Sequence, residues 1–316
     1  MFVLVAPVKS SFDQLGITYK VPSQLEWVEL GSFVEVPLKG KAELAIVFKI
    51  FDTLEEWLSK MEIREVIWVR SPLQMWEIQR TLIQWLAQHY FVLISTACAL
   101  FIPKNLQEKI KKNTLKPLKT IPKISPLSSI QLSLQQKKIL DQIQSTQNKK
   151  ILFWGIMGSG KTEIYIEIAR KNLIEGKQTL ILIPEIILSN QIAQRFRQIF
   201  WDDIPVINSS LSEAKKTQTW VSIYENLYPI ILGTRSALFY PYKNLATIII
   251  DEEHDSSYTS DSGPRYNARE VAEKLSELTW AKLILASGTP SVKSMYRATQ
   301  KKYALVTLLE KFDKTA

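Results

Sequence analysis

The chain has 316 residues, of which 46% are hydrophobic, enough to build packed cores for about two or three domains. Its N-terminus lacks a basic leader and meets Pro7 before a signal-peptide core can form. No apolar run attains the roughly 18 residues of a membrane span, so we expect a cytoplasmic protein with no membrane partner. A single cysteine, Cys98, excludes an internal disulfide and a cysteine-based zinc site, so no zinc is expected within this chain.

Positive charge is concentrated in one segment. The formal net charge is +9, and residues 104–150 contain eleven lysines against two acidic side chains, Glu108 and Asp141. Such a segment attracts a polyanion such as DNA. A lysine-rich linker that is merely solvated and flexible explains the same pattern, and the two interpretations have equal weight at this point.

The first 130 residues divide into three segments that differ in their predicted secondary structure. Residues 1–70 contain β-rich stretches separated by prolines and glycines, which predicts a small β domain. From Leu73 to Pro103 apolar residues recur at helical spacing, so residues 71–103 are predicted to be helical. Residues 104–130 carry three prolines among lysines and serines and are predicted to form a linker.

Short apolar runs alternate with helical patterns from Ile151 onward, so residues 131–316 are predicted to form one α/β domain. Fully apolar strands favour a parallel sheet covered by helices on both faces, with ligands bound at the carboxyl ends of the strands. The predicted strands are Ile151–Trp154, Thr179–Ile183, Pro205–Ile207, Ile230–Leu232, Thr247–Ile250 and Leu283–Ala286.

A phosphate-binding loop follows the first of these strands. Residues 155–162 read Gly-Ile-Met-Gly-Ser-Gly-Lys-Thr, directly before a helical pattern. Glycines let backbone N–H groups point at phosphates, the Lys161 ammonium can reach the β- and γ-phosphates, and the Thr162 hydroxyl can ligate Mg²⁺. ATP and Mg²⁺ are therefore the predicted ligands, and the residues predicted to bind them here are Gly155, Gly158, Ser159, Gly160, Lys161 and Thr162.

Two carboxylates end a later apolar strand. Asp251 would hold Mg²⁺, and Glu252 would polarise the water that attacks the γ-phosphate. With Lys161 they are the predicted catalytic residues. Three other strand ends supply small hydroxyls or exposed backbone N–H groups suited to gripping sugar-phosphate without reading bases. These are Pro184-Glu185, Gly233-Thr234-Arg235-Ser236 and Ser287-Gly288-Thr289-Pro290.

In their order, these motifs resemble those of the primosomal protein N′ (PriA) family, the bacterial replication-restart helicases of superfamily two. The segments that carry the resemblance are the phosphate loop, PEIxLxxQ from Pro184, GTRSALF from Gly233, DEEHDSSY from Asp251 and RYxAR from Arg265. Residues 1–103 are similar to that family's 3′-DNA-end-binding domain and to the helix that leads into its winged-helix domain. The resemblance implies a RecA-like first helicase lobe after a β-rich DNA-binding domain. It further implies a 3′-to-5′ DNA helicase that binds forked and single-stranded DNA, primosome components and single-strand-binding protein.

The resemblance also implies roles for individual residues. Gln136 would read adenine, and Ser287 with Thr289 would couple hydrolysis to DNA movement. Phe12 and Asp13 would form a pocket for a 3′-terminal nucleotide. The other residues with implied DNA contacts are Pro184, Glu185, Gly233, Thr234, Arg235, Tyr258, Arg265, Tyr266 and Arg269. Aromatic and arginine side chains can stack on unpaired bases, while ordinary packing is the alternative for the two tyrosines.

The likeness also has gaps. A lysine-rich segment separates Pro103 from Leu132 where the family has a winged-helix core, so residues 71–103 are interpreted as a remnant of that region. The chain ends at Ala316, after the first lobe and before the second lobe with its arginine finger. We therefore expect weak or no ATP hydrolysis by the isolated chain. A fork-binding platform that does not unwind DNA is the alternative function, and the sequence fits both a truncated and a naturally short protein.

Overall fold

The computed structural model describes residues 1–8, 16–25, 27–54, 60, 62–112, 114, 130–185, 191–201 and 204–311. Contacts divide the chain into two compact units. The first comprises Met1–Leu118, Ser212–Trp220 and Asp261–Arg265, and the second comprises Lys119–Leu211, Val221–Ser260 and Tyr266–Ala316. In the part of the chain that is described, no helix is both long and apolar enough to cross a membrane.

The first unit contains a five-stranded antiparallel sheet in the order β2-β1-β4-β3-β5. Its strands are β1 Phe2–Pro7, β2 Ile17–Lys20, β3 Ser32–Leu38, β4 Lys41–Phe51 and β5 Trp68–Gln74. Two residues, Lys39 and Gly40, join β3 to β4, and both have positive φ angles of 51° and 75°, as a tight hairpin turn requires. The β-rich character predicted for the first part of the chain is confirmed.

Valines on alternate positions build the core of this sheet. Val5 pairs with Val47 and Val34 pairs with Ala45 on neighbouring strands, and all four side chains are fully buried. Because successive side chains point to opposite faces of a sheet, residues two apart share one face. Each buried valine contributes about 2 kcal/mol of transfer free energy, so this face is a main source of the unit's stability.

Helices α1 Glu77–His89, α2 Ile94–Phe101 and α3 Lys104–Lys111 follow β5. Leu73, where the helical spacing begins, lies in β5 instead, so the helical region starts later than expected. Helix α3 occupies the start of the predicted linker. Its Leu106 and Ile110, four residues apart, are buried, and Lys111 Nζ donates a hydrogen bond to the carbonyl of Ala42 at 2.8 Å. An apolar stripe thus fixes this lysine-rich segment in place, while residues 115–129 lie outside the described residues.

The second unit contains a seven-stranded sheet in the order β12-β6-β11-β10-β7-β9-β8. All its neighbouring strands are parallel, as predicted. The strands are β6 Lys150–Gly155, β7 Gln178–Leu182, β8 Val206–Ile207, β9 Ile230–Gly233, β10 Leu245–Ile250, β11 Lys282–Ser287 and β12 Ala304–Leu308. Strand β12 was not predicted, because at this edge position only alternate residues, Val306 and Leu308, are buried.

Helices flank this sheet, and several begin at a side-chain cap. They are α4 Leu134–Ser145, α5 Lys161–Ile174, α6 Gln191–Ile199, α8 Ala268–Thr279 and α9 Val292–Thr299. Helix α7 Glu213–Tyr224 follows β8 in the chain, and its residues up to Trp220 group with the first unit. Ser133, Asn267 and Ser291 each accept a hydrogen bond from a backbone N–H in the first turn of α4, α8 and α9, a contact worth about 1 kcal/mol. Since the strands are parallel, the residues that follow β6, β10 and β11 all come to one edge of the sheet.

Candidate active site

The phosphate loop connects β6 to α5. Gly158 and Gly160 both have φ of +78°, a conformation that other L-residues adopt only with strain. A Cβ on Gly160 would also collide with the side-chain amide nitrogen of Gln136. The Ser159 hydroxyl in this loop is buried and has no hydrogen-bond partner among the described residues. Together with the N-terminus of α5, these groups fit a bound phosphate chain.

Lys161 lies between the loop and a carboxylate of the acidic motif. Its Nζ donates a hydrogen bond to the carbonyl of Gly155 at 2.8 Å and lies 3.2 Å from Glu252 Oε1. A cavity of about 440 Å³ is lined by the loop, Thr162, Asp251 and Glu252. The predicted phosphate-binding, metal-binding and water-polarising side chains therefore line one cavity.

Asp251 is buried directly after β10 and is held by two tyrosines. Tyr165 donates a hydrogen bond to Asp251 Oδ1 at 2.8 Å, and Tyr258 donates one to the Asp251 carbonyl at 2.6 Å. Burial raises the pKa of Asp251, while the hydrogen bond from Tyr165 and the charge of Lys161 oppose that rise. The structure thus brings Asp251 next to the loop but makes its ionisation costly.

Sequence reasoning missed Tyr165. It lies on α5, three residues after Thr162, and its side chain is fully buried. A hydroxyl between the apolar residues Ile164 and Ile166 was the available signal, since a buried tyrosine hydroxyl usually has a hydrogen-bond partner. Burial first, and then the Asp251 carboxylate, raises the pKa of Tyr165 well above its usual value, so this group stays a proton donor toward Asp251.

Glu252 contacts the segment that follows β11. Its Oε2 accepts weak hydrogen bonds from Ser287 Oγ at 3.5 Å and from the Gly288 N–H at 3.4 Å. His254 Nδ1 lies 2.8 Å from Ser287 Oγ, and His254 Nε2 lies 3.5 Å from Thr289 Oγ1. Glu252 has a positive φ of 44°, which is strained for a residue other than glycine. Glu252, predicted to act in hydrolysis, therefore contacts Ser287, predicted to couple that step, and the Thr289 N–H donates a hydrogen bond to Ser287 Oγ at 2.9 Å.

Glu253, which sequence reasoning also missed, is fully buried. Its carboxylate accepts hydrogen bonds from Ser291 N at 2.6 Å and from Ser294 Oγ at 2.9 Å. Arg269 NH1 lies 3.3 Å from Glu253 Oε2 and donates a hydrogen bond to the Glu253 carbonyl at 2.8 Å. This carboxylate therefore ties the acidic motif to the first turns of α8 and α9.

Gln136, predicted to read adenine, is buried against the phosphate loop. Its Nε2 donates hydrogen bonds to the carbonyls of Gly160 at 3.2 Å and Ser159 at 3.4 Å. Its Oε1 accepts a hydrogen bond from the Ser133 N–H at 2.9 Å. The amide is used within the protein here, and its contact with adenine stays a prediction.

The residues predicted to touch DNA fall into several environments. Phe12 and Asp13 lie outside the described residues. Tyr258 and Tyr266 are buried, and Tyr266 packs edge-on against Phe239 with ring centroids 5.0 Å apart. Packing therefore accounts for the place of both tyrosines in this conformation, and their contact with DNA stays a prediction.

The remaining DNA candidates differ in their exposure and in their contacts. Arg235 NH1 donates hydrogen bonds to the carbonyls of Ser257 at 2.6 Å and Thr259 at 3.2 Å, which ties the loop after β9 to the loop after β10. Arg265 is exposed, in a segment that groups with the first unit. Pro184, Gly233 and Thr234 are buried, and Glu185 is exposed, after the carboxyl ends of β7 and β9.

Comparison with known proteins gives two family models on this chain. The DEAD/DEAH box helicase model matches residues 133–298, and the 3′ DNA-binding domain model matches residues 4–103. Replication restart protein PriA of Rickettsia felis is 34% identical over 94% of this chain and 44% of its own length. PriA of Helicobacter pylori is 35% identical over 99% of this chain and 46% of its own length. The resemblance to the PriA family is confirmed, and the chain spans less than half the length of these relatives.

Solved structures give a weaker likeness. The helicase domain of Pyrococcus furiosus Hef matches at 19% identity with a TM-score of 0.43, over 56% of this chain and 38% of that chain. RecG bound to a three-way DNA junction matches at 19% identity with a TM-score of 0.43, over 84% of this chain and 36% of that chain.

Proposed function

Because the chain belongs to the DEAD/DEAH box helicase family, we propose that it is a PriA-like replication-restart protein that binds ATP, stalled forks and 3′ DNA ends. The observation that carries the proposal is the contact of Lys161 with Glu252 and of Glu252 with the Ser287 segment. It joins a phosphate-binding group, a carboxylate that can polarise water and a strand end suited to coupling. By resemblance, its partners are forked and single-stranded DNA, primosome components and single-strand-binding protein, in the cytoplasm.

In the proposed reaction the loop holds the triphosphate, and Lys161 moves from Glu252 toward the β- and γ-phosphates. Thr162 and Asp251 would hold Mg²⁺, which would supply positive charge opposite the phosphate oxygens. Once Lys161 has moved, Glu252 is free to orient the attacking water in line with the γ-phosphate. The ion pair of Lys161 with Glu252 thus gives both groups a defined position before the substrate binds.

Coupling to DNA is proposed to run through the contacts of Glu252. A change in the position of its carboxylate alters the hydrogen bonds to Ser287 Oγ and Gly288 N–H, and through Ser287 those of His254 and Thr289. These residues lie at the carboxyl edge of the sheet, where the candidate DNA-gripping segments also end. A discrete rearrangement of hydrogen bonds is a physical means of linking the two sites.

The first unit is proposed to hold a 3′-terminal nucleotide, in agreement with the match to a 3′ DNA-binding domain. Phe12 and Asp13 would form that pocket, with the Asp13 carboxylate accepting a hydrogen bond from the 3′-hydroxyl. A 3′-phosphate would be rejected because two negative charges would meet there. Affinity for forks ending in a 3′-hydroxyl or a 3′-phosphate measures this preference, and equal affinities would contradict the pocket.

The direction of movement along DNA and the level of ATP hydrolysis are also proposed from the resemblance to the family. A full-length member of the family would translocate 3′-to-5′ along DNA. The 316-residue chain by itself would hydrolyse ATP weakly and would not unwind a fork. Closing on ATP and reopening after hydrolysis takes two lobes, and the described residues form one parallel sheet of this kind. The alternative is a fork-binding platform that keeps the nucleotide fold without unwinding.

Nucleotide binding is the first test. Lys161→Ala should weaken binding of a fluorescent ATP analogue with Mg²⁺ at least about tenfold, because a charge-assisted contact to phosphate is lost. The matched control is Lys293→Ala, whose ammonium is exposed and paired with Glu270 at 2.8 Å. Equal affinities of the wild type and Lys161→Ala would contradict the assignment.

Hydrolysis and unwinding separate the two candidate functions. Glu252→Gln should remove the remaining ATP hydrolysis and leave fork binding intact, because Glu252 acts on water and not on DNA. Strand separation by the purified 316-residue chain would contradict the single-lobe proposal. Fork binding that is unaffected by any nucleotide, with no ATP hydrolysis in the wild type, would favour the platform.

A further inference from the structure

A second cavity of the second unit lies at the opposite edge of the parallel sheet from the phosphate loop. Its volume is about 570 Å³, and it is lined by the last turns of α4 and α5 and by the first residues of β10 and β11. Small-molecule sites are typically about 300–1,000 Å³ in volume. This cavity is therefore large enough for a ligand of nucleotide size. Apart from Lys149, which belongs to the lysine-rich segment 104–150, no residue with a predicted ATP or DNA contact lines it.

Four lysines line the cavity, against one acidic side chain, Glu175. They are Lys149, Lys171, Lys177 and Lys282. Lys177 Nζ is paired with Glu175 Oε2 at 2.6 Å. Two others contact neutral oxygens: Lys171 Nζ donates a hydrogen bond to the side-chain oxygen of Gln144, and Lys282 Nζ donates to the carbonyls of Ile143 and, at 3.2 Å, Gln144.

Lysines at the C-terminal ends of helices ordinarily neutralise the partial negative charge there. In this cavity that negative charge is too small to balance four lysines. The C-terminal ends of α4 and α5 each carry about −0.5 elementary charge, which together with Glu175 makes about −2. Four lysines contribute four positive charges. The cavity therefore keeps an excess of about two positive charges, which a bound anion would neutralise.

The environment of Lys282 shows the same excess. Burial first, and then the nearby charge of Lys149, lower the pKa of Lys282, and the two carbonyls that accept hydrogen bonds from Lys282 carry no full negative charge. An anion between these lysines would favour their charged forms. The cavity therefore offers a phosphate group several ammonium donors around a concave surface.

Apolar residues form the floor of the cavity. Ile143, Ile168 and Ile284 are buried there, and Asn172 donates a hydrogen bond to Thr247 Oγ1 at 2.9 Å beside them. Ile174, also lining the cavity, is 68% exposed. An apolar floor with an isoleucine left uncovered suits a ligand that carries a flat apolar part as well as phosphate.

We propose that this cavity binds a small phosphate-bearing ligand of nucleotide size, at a site separate from the phosphate loop. Lys149, Lys171 and Lys282 contact its phosphates, and the isoleucines contact its apolar part. A concave pocket favours such a ligand over duplex DNA, whose phosphates follow an extended backbone. The site does not depend on the proposed replication function, so failure of one leaves the other standing.

The test uses the 316-residue chain with nucleotide binding at the phosphate loop weakened by Lys161→Ala. ADP and inorganic pyrophosphate are titrated into it by calorimetry. Both should bind saturably, with ADP at least as tight as pyrophosphate because of the apolar floor. Adding Lys149→Gln and Lys171→Gln, two exposed positions, should weaken both about tenfold through the loss of two ammonium groups.

Lys274→Gln with Lys293→Gln is the matched control, because it removes the same charge from α8 and α9 of the same unit. It should change affinity less than twofold. Fluorescent ATP-analogue binding by the cavity double variant with Lys161 intact shows that the lobe still folds. The proposal is overturned by an absence of saturable binding, by equal weakening in both double variants, or by a cavity variant that loses duplex DNA binding while ADP and pyrophosphate bind normally.

Discussion

The two edges of the parallel sheet treat charge in opposite ways. At the carboxyl edge two cations next to the acidic motif are each paired with a carboxylate, Lys161 with Glu252 and Arg269 with Glu253. At the amino edge the lysines of the second cavity outnumber the carboxylates that face them. At the carboxyl edge the ion pairs hold the reactive groups in position until a bound substrate replaces one partner. At the amino edge the excess positive charge can be neutralised only by a bound anion.

Breaking the deepest matched pair should have the largest effect on stability. Glu253→Gln removes a fully buried charge and leaves Arg269 uncompensated, so we expect the free energy of unfolding to fall by about 3 kcal/mol. Urea denaturation measures this. Glu270→Gln, whose partner Lys293 is exposed, is the control and should change it by less than about 0.5 kcal/mol. Equal losses in the two variants would mean that burial of the Glu253 pair does not matter.

Strain in the loop should have the next largest effect. Gly160→Ala forces an L-residue to φ of +78° and places a Cβ against the Gln136 amide, so we expect a loss of about 1–2 kcal/mol in stability. ATP-analogue affinity should fall about tenfold because the loop N–H groups move. Gly176→Ala has a similar φ of +68° but open space around its Cβ, so it should cost stability without changing nucleotide affinity. A loss of affinity in both variants would point to a general effect.

Ionisation of Asp251 gives a pH-dependent prediction. Mg²⁺ binds the ionised carboxylate, so Mg²⁺–nucleotide affinity should fall as pH falls through the pKa of Asp251, which burial raises. Tyr165→Phe removes a hydrogen bond that lowers this pKa, so the fall should begin at higher pH in the variant. Affinity of an ATP analogue measured against pH gives the comparison. Tyr303→Phe, whose hydroxyl contacts Glu273 at 2.6 Å, is the control, and identical profiles for Tyr165→Phe and wild type would contradict the role.

Substitutions of two adjacent lysines should have the smallest effect on stability. They compare directly a lysine that is paired with a carboxylate and one that lies near another lysine. Lys149 repels Lys282, while Lys150 Nζ lies 2.9 Å from Glu277. Lys149→Gln should raise the free energy of unfolding by a few tenths of a kcal/mol, and Lys150→Gln should lower it by a similar amount, both less so at high salt. Equal signs for the two variants would remove the evidence for surplus charge at the amino edge.

Much of the fold could be predicted from local patterns. Apolar strand runs predicted every strand of the second-unit sheet except β12, because central parallel strands are buried on both faces. Strand β12 was not predicted because it is the outermost strand of the sheet, where only alternate residues are buried. Helix α3 was not predicted, because its lysine-rich composition indicated a linker. In the structure Leu106 and Ile110 are buried, and their packing stabilises the helix. The assignments of Lys161, Asp251 and Glu252 to catalysis stay predictions, although the structure brings them together.

The sequence by itself determined the phosphate loop, the acidic strand end and their order, because each is a contiguous run whose chemistry can be read from its own residues. Tertiary structure alone decided which distant groups meet. It placed Tyr165 against Asp251, Glu253 among Ser291, Ser294 and Arg269, and lysines separated by up to 133 positions around one cavity. Such meetings depend on strand order and parallel direction, which fix the edge where each segment ends, and no local pattern records them.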